Sequence, residues 1–242
     1  MNFEALSGKF ELGKSLPQVE AIVPAWKRGL DIGLILLSAP LTLLAGAVIA
    51  CVIKLTSRGP ILFRQERVGY RGQLFTCLKF RSMHVAAETV SHRDHFHQLM
   101  QSDAPMTKLD VKGDARLIPC GRLLRASGLD ELPQLLNVLR GDMSLVGPRP
   151  CLKYEAEKYS TWQWQRFETV PGLTGWWQVN GKNRTTFNEM MQLDIWYSQN
   201  KSFWLDLRVI CRTPFALARQ LLENRLAARL ARPNPMGQPA IN

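Results

Sequence analysis

Twenty-two consecutive residues without a charge, Ile32 to Ile53, constrain this chain more than any other feature. Leu, Ile, Val and Ala dominate the run, and its length reaches the roughly 20 residues a helix needs to cross about 30 Å of hydrocarbon. It is not built as a cleavable leader. The residues before it include Glu4, Glu11, Glu20 and Asp31, and no short basic region opens the chain. A buried helix of a soluble core is the competing reading, which the length and the flanks disfavour. Lys27 and Arg28 precede the run, and Lys54 and Arg58 follow it. The preference of basic flanks for one membrane face therefore pulls both ends the same way. Pro40 sits near the centre, two residues after Ser38, and removes a backbone donor there. A kinked hairpin that enters and leaves by one face satisfies both flanks, whereas a straight span satisfies one. The residues alone leave the two open. Backbone groups freed at a kink need a partner, and the Ser38 hydroxyl is the candidate.

Charge adds a second constraint. The net charge of the 242-residue chain is +11, and much of it lies in two blocks. Residues 26–81 hold nine basic and two acidic residues, and residues 208–232 hold six Arg and one Glu. Such an excess attracts polyanions: nucleic acid, anionic lipid or phosphorylated substrates. The second block carries Val209, Ile210, Phe215, Leu217, Leu221, Leu222, Leu226 and Leu230 at helical spacing. This predicts an amphipathic helix broken near Pro214, lying on an anionic leaflet or packed as an ordinary basic helix. The apolar and charged content excludes a mostly disordered chain, and no period marks a repeat architecture. Five widely spaced cysteines without a CxxC pair exclude a disulfide scaffold or zinc ribbon and suggest a reducing compartment.

The remaining chain organises around these anchors. Residues 1–25 read as a mobile extension, 26–56 as the membrane element, 57–232 as the catalytic domain and 233–242 as a flexible tail. Ile61–Phe63 and Leu74–Leu78 predict two short strands joined by a turn at Gly69–Gly72. Helices are predicted over 117–140, 153–168 and 186–200, with turns at Pro171-Gly172 and Asn180-Gly181. His92, His95 and His97 do not share one helix face, so a surface segment is favoured over a metal site. Residues 84–113 are the candidate mobile segment by composition.

Chemistry concentrates between 121 and 149. Leu129, Leu132, Leu136 and Leu139 recur at helical spacing, and Pro133 fits only a first turn, so a helix is predicted to begin near Ser127–Leu129. Asp130 and Glu131 then stand at its N-terminus, pointing in different directions. One ionised carboxylate can act as a nucleophile on phosphorus, and its neighbour can hold the magnesium that neutralises a diphosphate. An ordinary acidic cap is the commoner meaning of such a dipeptide. Lys79 and Arg81 follow a predicted strand, Arg125 precedes the dyad, and Arg149 is set between Pro148 and Pro150. A rigid guanidinium suits bidentate phosphate binding. Asp142, Trp176, Gln178 and Asn180 combine acid, aromatic face and amide as a nucleoside or sugar site does.

Taken together these segments resemble the bacterial monotopic phosphoglycosyl transferases. The resemblance runs from about Trp26 to Leu217. It rests on Lys27-Arg28 with Asp31, Gly59-Pro60 through Gly69, Lys79 through Met83, Leu129-Asp130-Glu131-Leu132-Pro133-Gln134, Gly147-Pro148-Arg149-Pro150, Gly172 through Trp176, and Asp194-Ile195-Trp196-Tyr197. It implies an α+β, mainly helical fold: a small cytoplasmic catalytic domain on a re-entrant membrane helix, with a β-hairpin and interfacial helices. It implies transfer of a sugar 1-phosphate from a UDP-sugar to a polyprenyl phosphate such as undecaprenyl phosphate, with release of UMP, as the initiating step of exopolysaccharide or glycoconjugate synthesis. Asp130 would form a covalent aspartyl-phosphosugar, with Glu131 helping to hold Mg2+. Lys79, Arg81, Arg125 and Arg149 are assigned to phosphate by charge and position. The membrane break falls at Pro40. The implied partners are a UDP-sugar, a polyprenyl phosphate and anionic membrane lipid, with a homo-oligomer left open and no nucleic acid. The implied location is the cytoplasmic face of a bacterial inner membrane. Two departures stand out: Ser57-Arg58 where the family commonly has Ser-Pro, and Ser127-Gly128-Leu129 where it often has Thr-Ser-Leu. The expectation is a compact catalytic form without the several N-terminal spans of larger members. A non-enzymatic membrane adaptor and a nucleic-acid binder are the competing classes, and the uncharged run argues against the latter.

Overall fold

The computed structural model describes residues 23–84, 98–100, 102, 104–106 and 116–230. The N-terminal extension (up to residue 22), the three histidines, most of 84–113 and the tail lie outside these residues. Helix α1 runs Ala25–Thr56, about 48 Å at 1.5 Å per residue. Its backbone stays helical through Pro40. Hydroxyls on either side of the proline serve carbonyls that precede it: Ser38 Oγ donates to Leu34 O at 2.8 Å, and Thr42 Oγ1 donates to Ser38 O at 3.1 Å. Leu36, Leu37, Leu41, Leu43 and Leu44 are 65–79% exposed. Apolar exposure on this scale calls for a nonaqueous neighbour.

Both ends of α1 are held by the same body. At the N-terminal end Lys27 is fully buried and donates to Val146 O at 2.8 Å, Tyr197 OH at 2.9 Å and Asp206 Oδ2 at 2.5 Å. Arg28 donates to Val138 O and Leu139 O. Asp31 accepts from Ser144 Oγ and Leu145 N–H, each at 3.0 Å. Ile35 then packs on Val138 and Met143. At the other end Ile49 and Ile53 pack with Phe80, Ile118 and Leu124. Arg81 donates to Ser57 O at 3.0 Å, Ser57 Oγ at 2.7 Å and Arg58 O, closing the helix.

Beyond α1, strands β1 (Leu62–Val68) and β2 (Leu74–Phe80) form the expected hairpin, with Leu62 opposite Phe80 and Val68 opposite Leu74. The ladder is longer than the apolar residues predicted, because the turn at Tyr70–Gly72 keeps the polar Arg64–Arg67 in register. The stretch predicted helical over 117–140, with a helix start near Ser127–Leu129, is two helices whose second starts later than expected. Helix α2 (Gly121–Ser127) ends at Gly128, whose φ of 75° lies in the left-handed region. A 3-10 turn, Leu129–Glu131, follows, and α3 (Gln134–Arg140) begins only after Pro133. The leucine spacing misses this because a left-handed glycine stops a helix without disturbing its apolar pattern.

Strand β3 (Ser144–Val146) pairs in parallel with β4 (Gly172–Thr174), a contact the sequence reading took as a turn. The two segments cross at van der Waals limits. A Cβ on Gly147 would lie 2.5 Å from Val170 O, and one on Gly172 would lie 2.0 Å from Gly147 N, so only glycine fits either place. The helix predicted over 153–168 is a single turn, α4 (Lys153–Ala156), and a separate 3-10 stretch, Thr161–Glu168. A short α5 (Trp176–Val179) precedes α6 (Phe187–Asn200). Helix α6 starts where expected, because the Thr186 side chain and Glu189 cap it reciprocally. Helix α7 (Phe203–Leu230) begins before the basic block and is not broken at Pro214. Thr213 Oγ1 donates to Val209 O at 2.8 Å, repeating at this proline the device used beside Pro40.

The Lys27–Asp206 pair is dry, with side chains 0% and 1% exposed. Removing one partner strands the other in low dielectric, at a cost of about 3–5 kcal/mol. Lys27→Met is therefore expected to lower stability by about that amount, read as the loss in denaturant unfolding of the detergent-solubilised protein. A change below about 1 kcal/mol would show that α1 does not depend on this pair.

Candidate active site

Asp130 and Glu131 stand on the 3-10 turn between α2 and α3, not on the first turn of a regular helix. Gly128 sets the approach to this turn: its left-handed φ ends α2, and Glu131 N–H donates to its carbonyl at 3.0 Å. The residue standing where the family often has serine thus shapes the dyad's entry. Leu132, directly after the dyad, packs against the cluster of Ile49, Ile53, Phe80 and Leu124. The carboxylates therefore sit beside the apolar cluster that α1 shares with β2 and α2. Asp130 is 7% exposed, while Glu131 is more open. Lys79, brought from the end of β2, makes an ion pair with Glu131 Oε1 at 2.9 Å. This pair joins the dyad to a cation proposed from the sequence.

Asn137, which the sequence reading did not single out, fixes α3 to β2. Its side chain donates to Thr76 O at 2.7 Å and accepts from Leu78 N–H at 3.0 Å. It also donates to Asp142 at 3.1 Å, so Asp142 braces this pin. Nothing in the pattern flagged Asn137; an amide inside a leucine-rich helix was the only signal. Cys77, between these contacts, is pushed up by burial, with Lys79 and Arg67 pulling it down and Glu131 adding to the rise. Arg67 in turn lies in the field of Arg149 and Glu155.

Arg149 is held on every side. Its carbonyl accepts from Arg166 at 2.8 Å, its backbone N–H donates to Asp194, and its guanidinium lies 3.3 Å from Glu155. Arg166 and Asp194 are themselves paired at 2.5 Å with side chains 1% and 2% exposed. Burial pushes the Asp194 carboxyl up to about 6, against the pull of Arg166 and Arg149. Asp194 was visible only as part of a motif, and Arg166 not at all. Pairs of charge 28 residues apart leave no periodicity to read.

Helix α7 brings the remaining segment alongside. Thr213 meets Thr174 hydroxyl to hydroxyl at 2.8 Å, and Leu217 lies over Gly128. These contacts are four residues apart on α7, about 6 Å along its axis, so Gly172–Gly175 and the dyad turn flank one short stretch. Trp176 stacks on Trp196 with centroids 5.2 Å apart and packs on the Val146–Tyr197 cluster. Asn180 donates to Trp176 O at 2.8 Å, and Gln178 is half-buried. Arg125 lies in the last turn of α2, half-buried and engaged. Arg81 is turned to the end of α1, where its hydrogen bonds give it a structural task. Among the described residues no three metal-ligating side chains gather. Two adjacent carboxylates suit an ion such as Mg2+, which is commonly held by one or two carboxylates together with substrate phosphates.

The Arg166–Asp194 pair makes a separable prediction. Asp194→Asn is expected to cost about 3–5 kcal/mol by stranding Arg166, whereas the apolar double change Arg166→Met with Asp194→Leu costs less than the single one. Denaturant unfolding of the three proteins checks it, and a double change costing the sum of both would refute it.

Residues 22–220 match the family described as bacterial sugar transferase. The chain is 42% identical over 162 residues to the uncharacterized sugar transferase EpsL of Bacillus subtilis, covering 67% of this chain and 72% of that protein. It is 43% identical over 213 residues to the UDP-glucose:undecaprenyl-phosphate glucose-1-phosphate transferase of Caulobacter vibrioides, covering 83% and 72%. With the undecaprenyl-phosphate galactose phosphotransferase of Salmonella typhimurium it shares 38% over 168 residues, 67% of this chain but only 34% of that longer protein.

Proposed function

This chain belongs to the bacterial sugar transferase family, and we propose that it transfers a sugar 1-phosphate from a UDP-sugar to a polyprenyl phosphate, releasing UMP. The observation that carries this reading is the seat of the dyad. Asp130 and Glu131 stand on the body that grips both ends of the apolar helix, with Leu132 packed against the cluster that this helix shares with β2 and α2. A carboxylate placed there serves a soluble nucleotide and an acceptor whose phosphate lies at the membrane surface. The names of the Caulobacter and Salmonella relatives, which specify undecaprenyl phosphate as acceptor, support the same substrate class.

In the proposed sequence an Asp130 oxygen attacks the β-phosphorus of the UDP-sugar. The Asp130–phosphorus ester forms as the bond from that phosphorus to the bridging oxygen breaks, and UMP leaves with that oxygen. An oxygen of the polyprenyl phosphate then attacks the same phosphorus and displaces Asp130. The product is a polyprenyl diphosphate sugar, the start of a polysaccharide or glycoconjugate chain. Asp130 and Glu131 are the residues to hold Mg2+, which when bound offsets diphosphate charge. Lys79 orients Glu131 and adds a cation beside it. Arg149, held at its backbone by Arg166 and paired with Glu155, offers a further positive group for phosphate.

The anchor is read as re-entrant. A helix that crosses a bilayer has its ends on opposite faces, and here one body binds Lys27 and Arg28 at one end and Ser57 at the other. The exposed leucines between them enter lipid from the side of the catalytic body, the cytoplasmic face. Trp204, Phe215 and Leu222 are exposed on α7 beside Arg208, Arg212 and Arg219, a composition suited to lying on an anionic leaflet.

Asp130→Asn is expected to lower lipid-dependent UMP release on the order of 10⁴-fold without loss of folding. Lys79→Met is expected to lower it about 100-fold, while shifting stability by less than about 1 kcal/mol, since its pair with Glu131 is part-exposed. Near-normal turnover in Asp130→Asn would overturn the nucleophile, and release of UDP in place of UMP would overturn the reaction. For the anchor, single cysteines replacing Ala25 and Thr56 are expected to react with an impermeant maleimide from the cytoplasmic face alone. Labelling from opposite faces would establish a span.

A further inference from the structure

An open apolar groove of about 740 Å3 lies outside the dyad, lined by Pro60, Ile61, Leu62, Phe63, Arg64 and Phe80. Its position is set by three contacts. Ile61 and Leu62 pack beside the Ile49–Ile53–Phe80 cluster, so the groove begins at the C-terminal arm of α1. Gly46, nearer the middle of that helix, faces the Phe80 ring, where an added Cβ would come within 3.8 Å of it. Phe63 pairs across the hairpin with Lys79, the residue bound to Glu131. Directly opposed residues in a hairpin share a face, with Cβ atoms about 5 Å apart. The groove therefore begins at the lipid-facing helix, and its Phe63 stands cross-strand from the cation that touches the dyad.

We propose that this groove holds the phosphate-proximal isoprene units of the acceptor lipid. The inference rests on the proposed function and adds where the acceptor sits. Charge and continuity select this occupant. The walls are apolar, the groove is continuous with the exposed leucines of α1, and its cations, Arg64 on the wall and Lys79 beside it, suit a phosphate head at the end of a single chain. Phe63 is 46% exposed, a large apolar surface left open at the mouth. The volume falls within the roughly 300–1,000 Å3 of small-ligand sites, so it takes the first units of a polyprenyl chain and leaves the rest in the membrane. Held there, the acceptor phosphate approaches the dyad past Lys79, on a path separate from Arg149 and the Gly172–Gly175 segment.

Steady-state kinetics with undecaprenyl phosphate and a UDP-sugar test the proposal. Covering the open half of a phenylalanine is worth about tenfold in affinity. Phe63→Ala is therefore expected to raise KM for undecaprenyl phosphate about tenfold and leave KM for the UDP-sugar unchanged, and Phe63→Leu restores most of the loss. An unchanged lipid KM in Phe63→Ala overturns the groove and leaves the proposed function standing. No transfer by the unaltered protein overturns that function, and the groove with it. A polyprenyl phosphate carrying a diazirine in its first isoprene unit gives a readout independent of turnover. Label is expected on the Pro60–Arg64 peptide, displaced by undecaprenyl phosphate in preference to phosphatidylglycerol. Label elsewhere, or equal displacement by the two lipids, overturns the assignment, the latter marking a general acyl-chain site.

Discussion

The backbone from Val146 to Cys151 is the constraint on which the other elements depend. Five of its six carbonyls accept hydrogen bonds from distant parts of the chain: Val146 from Lys27, Pro148 from Gly172 N–H, Arg149 from Arg166, Pro150 from Arg67 and Cys151 from Val68 N–H. The donors come from the membrane helix, the β-hairpin, the 3-10 stretch before β4, and β4 itself. A buried carbonyl without a partner costs about 1–3 kcal/mol, so each element is required by the loop as much as the loop is required by each element. Two prolines fix φ within it, and Gly147 allows β4 to cross at backbone contact. Arg149 is immobile because its neighbours on both sides are already committed.

Buried charge performs a second task here. Lys27–Asp206 and Arg166–Asp194 are dry ion pairs, and such pairs contribute little net stability compared with well-packed apolar residues. Their effect is on register. Apolar packing along α1 would tolerate a slide of one helical turn, since Ile, Leu and Val recur throughout it. A lysine that must reach Asp206, Tyr197 and Val146 O together tolerates none. The apolar helix is thereby placed against the catalytic body to within a hydrogen bond, and the cluster it shares with β2, α2 and Leu132 carries that placement toward the dyad.

What the sequence disclosed was local. The uncharged run, the hairpin with its glycine turn, the helix over 186–200 and the adjacent carboxylates each carry their own local pattern. Contacts between distant segments were hidden. Strands β3 and β4 have three residues each, too short for alternation to register, and their glycines read as a turn when they mark a crossing. Arg81 was assigned to phosphate because it carries charge near Lys79, yet it stands just past the end of β2, where the strand's alternation no longer sets its direction. Lys79 takes the face of Glu131, and Arg81 reaches the carbonyls at the end of α1. Pro214 was read as a helix breaker from its chemistry alone. A threonine hydroxyl bound one turn back accompanies the continued helix there, as Ser38 and Thr42 accompany it at Pro40.

The same packing bears on how anchor and chemistry are joined. The cluster of Ile49, Ile53, Phe80, Ile118 and Leu124 is shared by the arm of α1, the end of β2 and the helix before the dyad. β2 delivers Lys79 to Glu131 from one side of this cluster, and Leu132 seats the carboxylate turn on it. In the proposed reaction the acceptor arrives along the membrane and the donor from solution, so the site has to stay at a fixed depth. Tying the dyad to the arm through close-packed side chains meets that requirement, because a packed interior transmits displacement and does not absorb it. A flexible tether would hold the protein at the membrane equally well and leave the depth of the carboxylates undefined.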